Sequence, residues 1–424
     1  MRTFLDKIFF RSNNLNYLSS KIKNLTNNTP VRKIFEAINE YSEESEIRYV
    51  GGCLRKIINN EKVDDIDLAT NLVPEQVCEV LKKKEINYYE SGIDHGTITA
   101  LIDNYKFEIT TLRKDVSTDG RHAKVEFTNN WKDDASRRDF TINAIYSDAE
   151  GNLFDPYNGK KDLEEGYINF IGDVNKRIQE DYLRILRYIR FFLNYSKQPH
   201  NSEILRKLKI NIGGVSKLSK ERLLDELKKI FKLDTLEKLI NEKLSLELIL
   251  IIFPELKNYN LFNKLNSEKK NVLREVDFIF LLSLMIIDNS DNVDYFLYKY
   301  NLSKKDQKRI KIIDSFFKDK FNLKKFTQYN FNEYFYYEGN QAVLDVLRFK
   351  VIKSKKIDKS LIELIEYYKN KPIPKMPIGA ELLMQKYKIP EGKQLGVKLK
   401  KIEVEWVKNN FTISDKQVEN IIEN

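Results

Sequence analysis

The 424-residue chain has only two cysteines, Cys53 and Cys78, and three histidines, His95, His122 and His200. Neither cysteine has the spacing of a zinc site or a disulfide framework, which fits a reducing compartment; a cytoplasmic location is the expectation. Histidine this scarce disfavours a histidine-ligated metal hydrolase. The longest apolar runs, near Leu244–Phe253 and Phe278–Ile287, fall short of the ~20 residues of a membrane-spanning helix. The N-terminus lacks the charged, apolar, small-residue succession of a secretory leader. What the chain does have is positive charge: 73 Lys+Arg against 63 Asp+Glu, a net +10, which leans toward a polyanionic partner. Its length exceeds one ordinary core, so several domains are expected.

The most informative stretch is Val50–Thr70, V-G-G-C-L-R-K-I-I-N-N-E-K-V-D-D-I-D-L-A-T. It reads as a strand, a Gly51-Gly52 turn into a helix, and a second strand carrying Asp65 and Asp67. Residues two apart on a strand share a face. Two crowded carboxylates repel each other unless a cation sits between them. A hard divalent cation, Mg²⁺ above all, is the usual occupant. Gly51 and Gly52 free backbone N–H groups to approach an anion, and Arg55, one helical turn on, can clamp a phosphate. A lone Gly-Gly is an ordinary turn and a lone Asp-x-Asp is more often solvated surface; both within one short unit favour a site.

Two further constellations follow. Asp133-Asp134-Ala135-Ser136-Arg137-Arg138-Asp139-Phe140-Thr141-Ile142-Asn143-Ala144 places Arg138 to take phosphate oxygens bidentately and Asp139 to accept from ribose hydroxyls. From Ile178 to Asn194 the apolar residues Ile178, Tyr182, Ile185, Ile189 and Phe192 recur every three or four positions, which predicts one long helix. Its adjacent face carries Glu180, Asp181, Arg184 and Arg187, with Asp181 and Arg184 one turn apart. A helical ion pair is the commoner use of that spacing. A carboxylate only accepts hydrogen bonds and a guanidinium only donates. Cytosine and adenine both present an amino donor beside a ring-nitrogen acceptor, whereas uracil and guanine present a carbonyl beside a ring N–H. A buried unpaired polar group costs about 1–3 kcal/mol, so one Asp–Arg pair can choose C and A without a nucleic-acid template.

These strings, with Leu186-Arg187 and Arg190-Phe191 after the last, resemble the nucleotidyltransferase superfamily, in its branch of class II tRNA nucleotidyltransferases and bacterial poly(A) polymerases. The resemblance is dense from Tyr49 to about Phe231, weak to Lys371, and faint in the tail. It implies catalysis by Asp65, Asp67 and a third carboxylate, Glu108 in Phe107-Glu108-Ile109, with Asp65 and Asp67 holding Mg²⁺. It implies nucleotide binding by Gly51, Gly52, Arg55, Arg138, Asp139, Asp181, Arg184 and Arg187. It also implies a flexible loop at Asp119, Gly120 and Arg121, within a polar stretch (Leu112–Phe127) that reads as a loop. Ser216–Leu227 resembles the neck element, where Arg222 and Glu226 can brace the base-reading helix.

The elements around these motifs follow from pattern. Val31–Tyr41 is helical through Val31, Ile34, Phe35 and Ile38, and Pro74 opens a helix burying Val77, Val80 and Leu81. His95–Leu101 and Lys106–Thr111 form a hairpin across Asp103-Asn104. From Leu233 the chain is helical. The Tyr334–Tyr337 aromatics could contact RNA, but helix cores account better for most of them. Gly379, Gly392 and Gly396 mark junctions whose amides can approach phosphates.

The expected fold is α+β: a small nucleotidyltransferase head with a mixed five-stranded sheet, followed by an all-helical neck, body and tail. The segments are 1–30, a loosely attached extension or added helix; 31–172, the head; 173–232, the neck; 233–371, the body; and 372–424, a tRNA-binding tail. The implied activity is addition of C, C and A to the 3′ end of tRNA from CTP and ATP, with contacts to the tRNA 3′ end and elbow. A poly(A) polymerase is the first alternative; its usual Gly-Arg-Arg-Phe type string is absent and His95-Gly96-Thr97 stands there. An A-adding or CC-adding member of a split system and a catalytically silent RNA-binding protein are the others.

Overall fold

The computed structural model describes residues 17–118, 123–318 and 328–423. The chain divides into two compact units, Met1–Lys229 and Ile230–Asn424. In the first, helix α1 (described over residues 17–28) and α2 (Val31–Asn39) precede β1 (Ile47–Val50), α3 (Gly52–Ile58), β2 (Ile66–Thr70) and α4 (Pro74–Lys83). Then come β3 (Asn87–Gly92), β4 (Thr97–Ile102), β5 (Tyr105–Thr111), β6 (Arg113–Thr118), β7 (Ala123–Phe127) and α5 (Trp131–Arg137). After β8 (Tyr146–Ser147), β9 (Leu153–Phe154) and α6 (Gly159–Glu165) the unit is helical: α7 (Val174–Glu180), α8 (Leu183–Tyr195), α9 (Ser202–Asn211) and α10 (Lys220–Ile230).

The sheet is mixed, in the order β3-β4-β5-β2-β1-β8-β9, with β2 and β5 parallel. It has seven strands and not the expected five. The added edge pair β8–β9 is only two residues a side, too short to show alternation. The polar Leu112–Phe127 stretch is a second departure: β6 and β7 form a separate antiparallel ribbon. Backbone pairing suffices for such a ribbon, so apolar alternation does not announce it. Asp119, Gly120 and Arg121 lie outside the described residues.

One face of the sheet, through Tyr49, Leu68, Ile98, Phe107 and Ile109, packs with Ile34, Phe35 and Ile38 of α2 and Val77, Val80 and Leu81 of α4. Each such side chain contributes about 1.5–3 kcal/mol when fully buried. Helix α1 belongs to this core through Leu18 and Ile22, and its Thr26 hydroxyl hydrogen-bonds the Tyr49 hydroxyl at 2.8 Å. Residues 17–28 are therefore not loosely attached: Leu18 and Ile22, four apart, share the helix face turned to the sheet. On the other face a smaller cluster joins Val50, Ala69, Ala135, Ala144 and Tyr146. That face carries the polar site.

In the second unit, Phe335 is fully buried and Tyr336 donates to Glu403 while meeting Trp406 edge-on. Tyr334 packs on the same core as Phe335, and Tyr337 is exposed. These aromatics mostly build core, as expected. Gly379 and Gly392 precede the helices Ala380–Tyr387 and Lys393–Lys408; Gly396 lies inside the second of these, not at a junction.

Candidate active site

The Gly51-Gly52 turn ends β1 and starts α3. Gly51 has φ +64°, a conformation that disfavours any side chain. A Cβ on Gly51 would stand 3.4 Å from the Asn143 carbonyl and 3.6 Å from an Arg138 nitrogen; one on Gly52 would stand 3.5 Å from an Asp67 carboxylate oxygen. The turn thus lets backbone pass between the carboxylate strand and the Arg-Arg-Asp segment.

The β2–β5 register sets Glu108 directly beside Asp67. Burial, then Glu108 and Asp65, push the Asp67 carboxyl above its ordinary range against the pull of Arg138 and Arg55. Asp65 falls one residue before β2, not on the strand as expected. The ladder with β5 starts at Ile66↔Phe107, and the residues before it are solvated. Among the described residues no three His, Cys, Asp or Glu side chains converge closely enough to cage a metal ion.

The arginines are aimed by buried acids. Asp134, 1 % exposed, accepts from Arg137 Nε at 2.7 Å, Arg138 Nη2 at 3.0 Å and the Tyr146 hydroxyl at 2.6 Å. Burial alone would raise its pKa, but Arg138, Arg137 and Tyr146 hold it well below the usual carboxylate range. Asp139 accepts from Phe140 N (2.9 Å), Asn143 Nδ2 (2.8 Å) and Arg187 Nε (2.6 Å), and Arg187 with Asn143 likewise outweighs the effect of its burial. Arg55 donates to the Asn143 side chain and lies over Phe191 at 4.8 Å, while its buried Nε has no hydrogen-bond partner among the described residues.

The expected single helix over Ile178–Asn194 is broken. Asp181 is extended (φ −153°, ψ 105°) between α7 and α8, and its Oδ1 accepts from Leu183 N at 3.1 Å. Such side-chain-to-backbone bonding competes with helix continuation, and apolar periodicity cannot reveal it. Asp181 and Arg184 make no ion pair with each other. Asp181 Oδ2 accepts from Arg222 at 2.7 Å, and Arg184 Nη1 donates to Glu180 at 2.6 Å. Glu226 accepts from Arg190 Nε at 2.8 Å, so Arg222 and Glu226 brace the α7–α8 region as expected.

These groups line one cavity of about 420 Å³: Gly51, Gly52, Arg55, Asp67, Arg137, Arg138, Asp139, Asn143, Asp181, Arg184, Arg187, Arg190 and Phe191. Six arginines face three aspartates there, a setting for a polyanion of nucleotide size. Of the expected residues, Asp65 and Glu108 are not on its lining. Asp134, Asn143, Tyr146 and Phe191 had been given no role; Asp134, Asn143 and Phe191 stood inside the quoted strings, and Asp134 lies three and four residues before the arginines it holds, whereas nothing local marks Tyr146.

Residues 47–169 match the family described as poly A polymerase head domain. The chain is 45 % identical over 202 residues to the mouse protein named CCA tRNA nucleotidyltransferase 1, mitochondrial, covering 47 % of this chain and 46 % of that one. It is 30 % identical over 271 residues to a CCA-adding enzyme of Listeria monocytogenes, covering 61 % and 65 %. The chain spans about half the length of most curated relatives it matches. Among solved structures, the Bacillus stearothermophilus CCA-adding enzyme in complex with CTP superposes with a TM-score of 0.67 at 21 % identity, covering 93 % of this chain and 97 % of that one. The Thermotoga maritima CCA-adding enzyme complexed with tRNA gives 0.55 at 20 %, covering 95 % and 98 %. Residues 47–169 thus match a poly A polymerase head domain, in a chain that carries the fold seen in the CCA-adding enzymes.

Proposed function

We propose that this protein is a tRNA nucleotidyltransferase that adds C, C and A to the tRNA 3′ end from CTP and ATP. The observation that carries the reading is the single cavity holding Asp67, the glycine turn, the Arg138–Asp139 pair and the Asp181/Arg184 pair together. In the reaction the terminal 3′ oxygen bonds to the α-phosphorus, the bond to the β-phosphate oxygen breaks, and pyrophosphate leaves. Arg55 and Arg138 hold the phosphates, and Gly51 and Gly52 leave room for them. A carboxylate has about four acceptor positions; three of those on Asp139 are taken, which leaves one for a ribose hydroxyl. Asp181 keeps acceptor capacity and Arg184 keeps Nε and Nη2 for the base edge, while Arg187 holds Asp139 in place.

Asp67, with Asp65 just before its strand and Glu108 beside it in the sheet, would bind a divalent ion together with the substrate phosphates, and Mg²⁺ suits that role. Mg²⁺ binds through one or two carboxylates plus substrate phosphates and water, not in an all-protein cage. Burial, then repulsion from Glu108 and Asp65, raise the Asp67 carboxyl, and a bound cation would offset both. When bound, the metal would lower the pKa of the attacking hydroxyl and balance charge on the triphosphate.

Incubation with a tRNA transcript lacking its 3′ end and each labelled nucleotide in turn tests the reading. Ordered incorporation of C, C and A is expected. A run of A alone would make it a poly(A) polymerase, the reading favoured by the description of its head family. Incorporation of only A, or only C and C, would make it one half of a split system, and no incorporation would leave an RNA-binding protein. No described helix is long and apolar enough to cross a membrane. The cytoplasmic location is kept in this proposal, with mitochondria, named for the mouse and human relatives, as the outcome that cell fractionation would substitute.

A further inference from the structure

Arg177 does not line the cavity, but its side chain hydrogen-bonds Arg137 and Arg138, which do, and Glu180, which holds Arg184. Helix α5 ends at Arg137 with Arg138 as its C-cap, and the last carbonyls of a helix lack partners within it. Arg177 Nη2 donates to the Arg137 carbonyl and, at 2.5 Å, to the Arg138 carbonyl. A guanidinium there also suits the negative end of the helix dipole. Its Nη1 donates to Glu180 Oε2 at 2.5 Å. The same carboxylate oxygen accepts from Arg184 Nη1 at 2.6 Å, and Arg184 Nη1 reaches the Arg177 carbonyl at 2.6 Å as well. One planar fork therefore holds the segment that carries Arg138 and the group that aims Arg184. Arg177 is only 9 % exposed, so its bonds to the two carbonyls are shielded, while the Glu180 end is partly solvated.

We propose that Arg177 is a positioning residue that couples the phosphate grip of Arg138 to base reading by Arg184; this rests on the function proposed above. A lysine keeps the charge but has one nitrogen in place of the fork, so it cannot serve the carbonyls and Glu180 together. A glutamine keeps two donors for the carbonyls and loses the attraction to Glu180.

The test is kcat and KM for CTP, ATP, UTP and GTP on tRNA lacking its 3′ end. It compares wild type, Arg177→Lys, Arg177→Gln, Arg184→Ala and the Arg177→Lys/Arg184→Ala double variant, with thermal melting of each. We expect both Arg177 variants to lose about 10- to 100-fold of the discrimination between CTP or ATP and UTP or GTP, the equivalent of one charge-assisted hydrogen bond. KM should rise for all four nucleotides. The double variant should discriminate no worse than Arg184→Ala alone, because Arg177 acts through Arg184. Wild-type discrimination in both Arg177 variants, with or without a lowered Tm, would overturn the proposal, as would additive losses in the double variant. A wild type with no preference for CTP and ATP would remove the proposed function and this inference with it. A preference that survives only the Arg177 changes removes this inference alone.

Discussion

The two units hold cavities of similar volume and opposite character. The one in the first unit, about 420 Å³, gathers six arginines and three aspartates. The one in the second, about 480 Å³, has Arg348 and Lys359 against four glutamates, over Val272, Ile357, Ile362 and Ile365. A triphosphate is attracted by the first lining and repelled by the second, so volume alone does not identify the site. Buried charge differs in the same way. In the second unit Asp345, fully buried, is bound by Arg309 through two nitrogens and by Gln341, and Lys269 donates to the carbonyls of Ile352 and Ser354. Those contacts are inward and structural. In the first unit Asp134 and Asp139 are bound as tightly, but the arginines they hold also face a cavity. A buried acid that aims a cation at open space is the mark of a site here.

The largest effect expected from breaking this contrast is on chemistry. Asp65→Ala or Asp67→Ala should cost several kcal/mol of charge stabilisation, about 10³-fold or more in kcat, with tRNA binding kept in a filter assay. Near-normal turnover in Mg²⁺ would remove the metal role.

Next comes stability. Asp134→Asn leaves Arg137 and Arg138 without their buried counter-charge and should destabilise the first unit by about 3–5 kcal/mol. The two tryptophans, Trp131 and Trp406, fall one in each unit. Fluorescence-monitored unfolding of Trp406→Phe and Trp131→Phe backgrounds therefore reports each unit alone, and the loss should show only through Trp131. Because Asp134 and Asp139 are held below their ordinary range, their contribution is fully present above the unfolded value of about 3.9. It is lost as the pH falls through the lower folded values. Acid should weaken the Trp131 transition of wild type more than that of Asp134→Asn.

Base choice should change by less. Asp181→Ala removes the acceptor for the amino group of C or A and a repulsive contact to the carbonyl of U or G, so discrimination should narrow by about 10- to 100-fold in kcat/KM. Full preference for CTP and ATP in this variant would make Asp181 only the partner of Arg222.

The smallest effect has the opposite sign. The Asp67 carboxyl is raised in the folded protein, so its ionised form costs stability as pH rises through the folded value. Asp67→Asn should raise the metal-free Tm at pH 7 slightly, by less than Asp134→Asn lowers it, and the gain should vanish in acid.

Much of the site was legible because its chemistry is local. Gly51-Gly52 with Arg55, and Arg138 with Asp139, each sit within a few residues, so spacing alone grouped their types; Asp65, grouped with Asp67 in the same way, falls just before the strand and off the cavity lining. The α2 and α4 faces were legible for the same reason, since Ile34, Phe35 and Ile38, or Val77, Val80 and Leu81, recur at the helical period. What spacing could not reach were contacts between distant segments. Arg177 meets the end of α5 and Arg222 meets Asp181, each across about 40 residues. The break at Asp181 was hidden because apolar periodicity continues through it. By itself, then, the sequence determined which side chains carry charge and which faces are apolar, since both follow from residue type and period. Only the tertiary structure decided which acids hold Arg187, Arg190 and Arg222, because those partners lie 36 to 48 residues away and meet only where folded segments come together, whereas Asp134 with Arg137 and Arg138 is a local helical pairing.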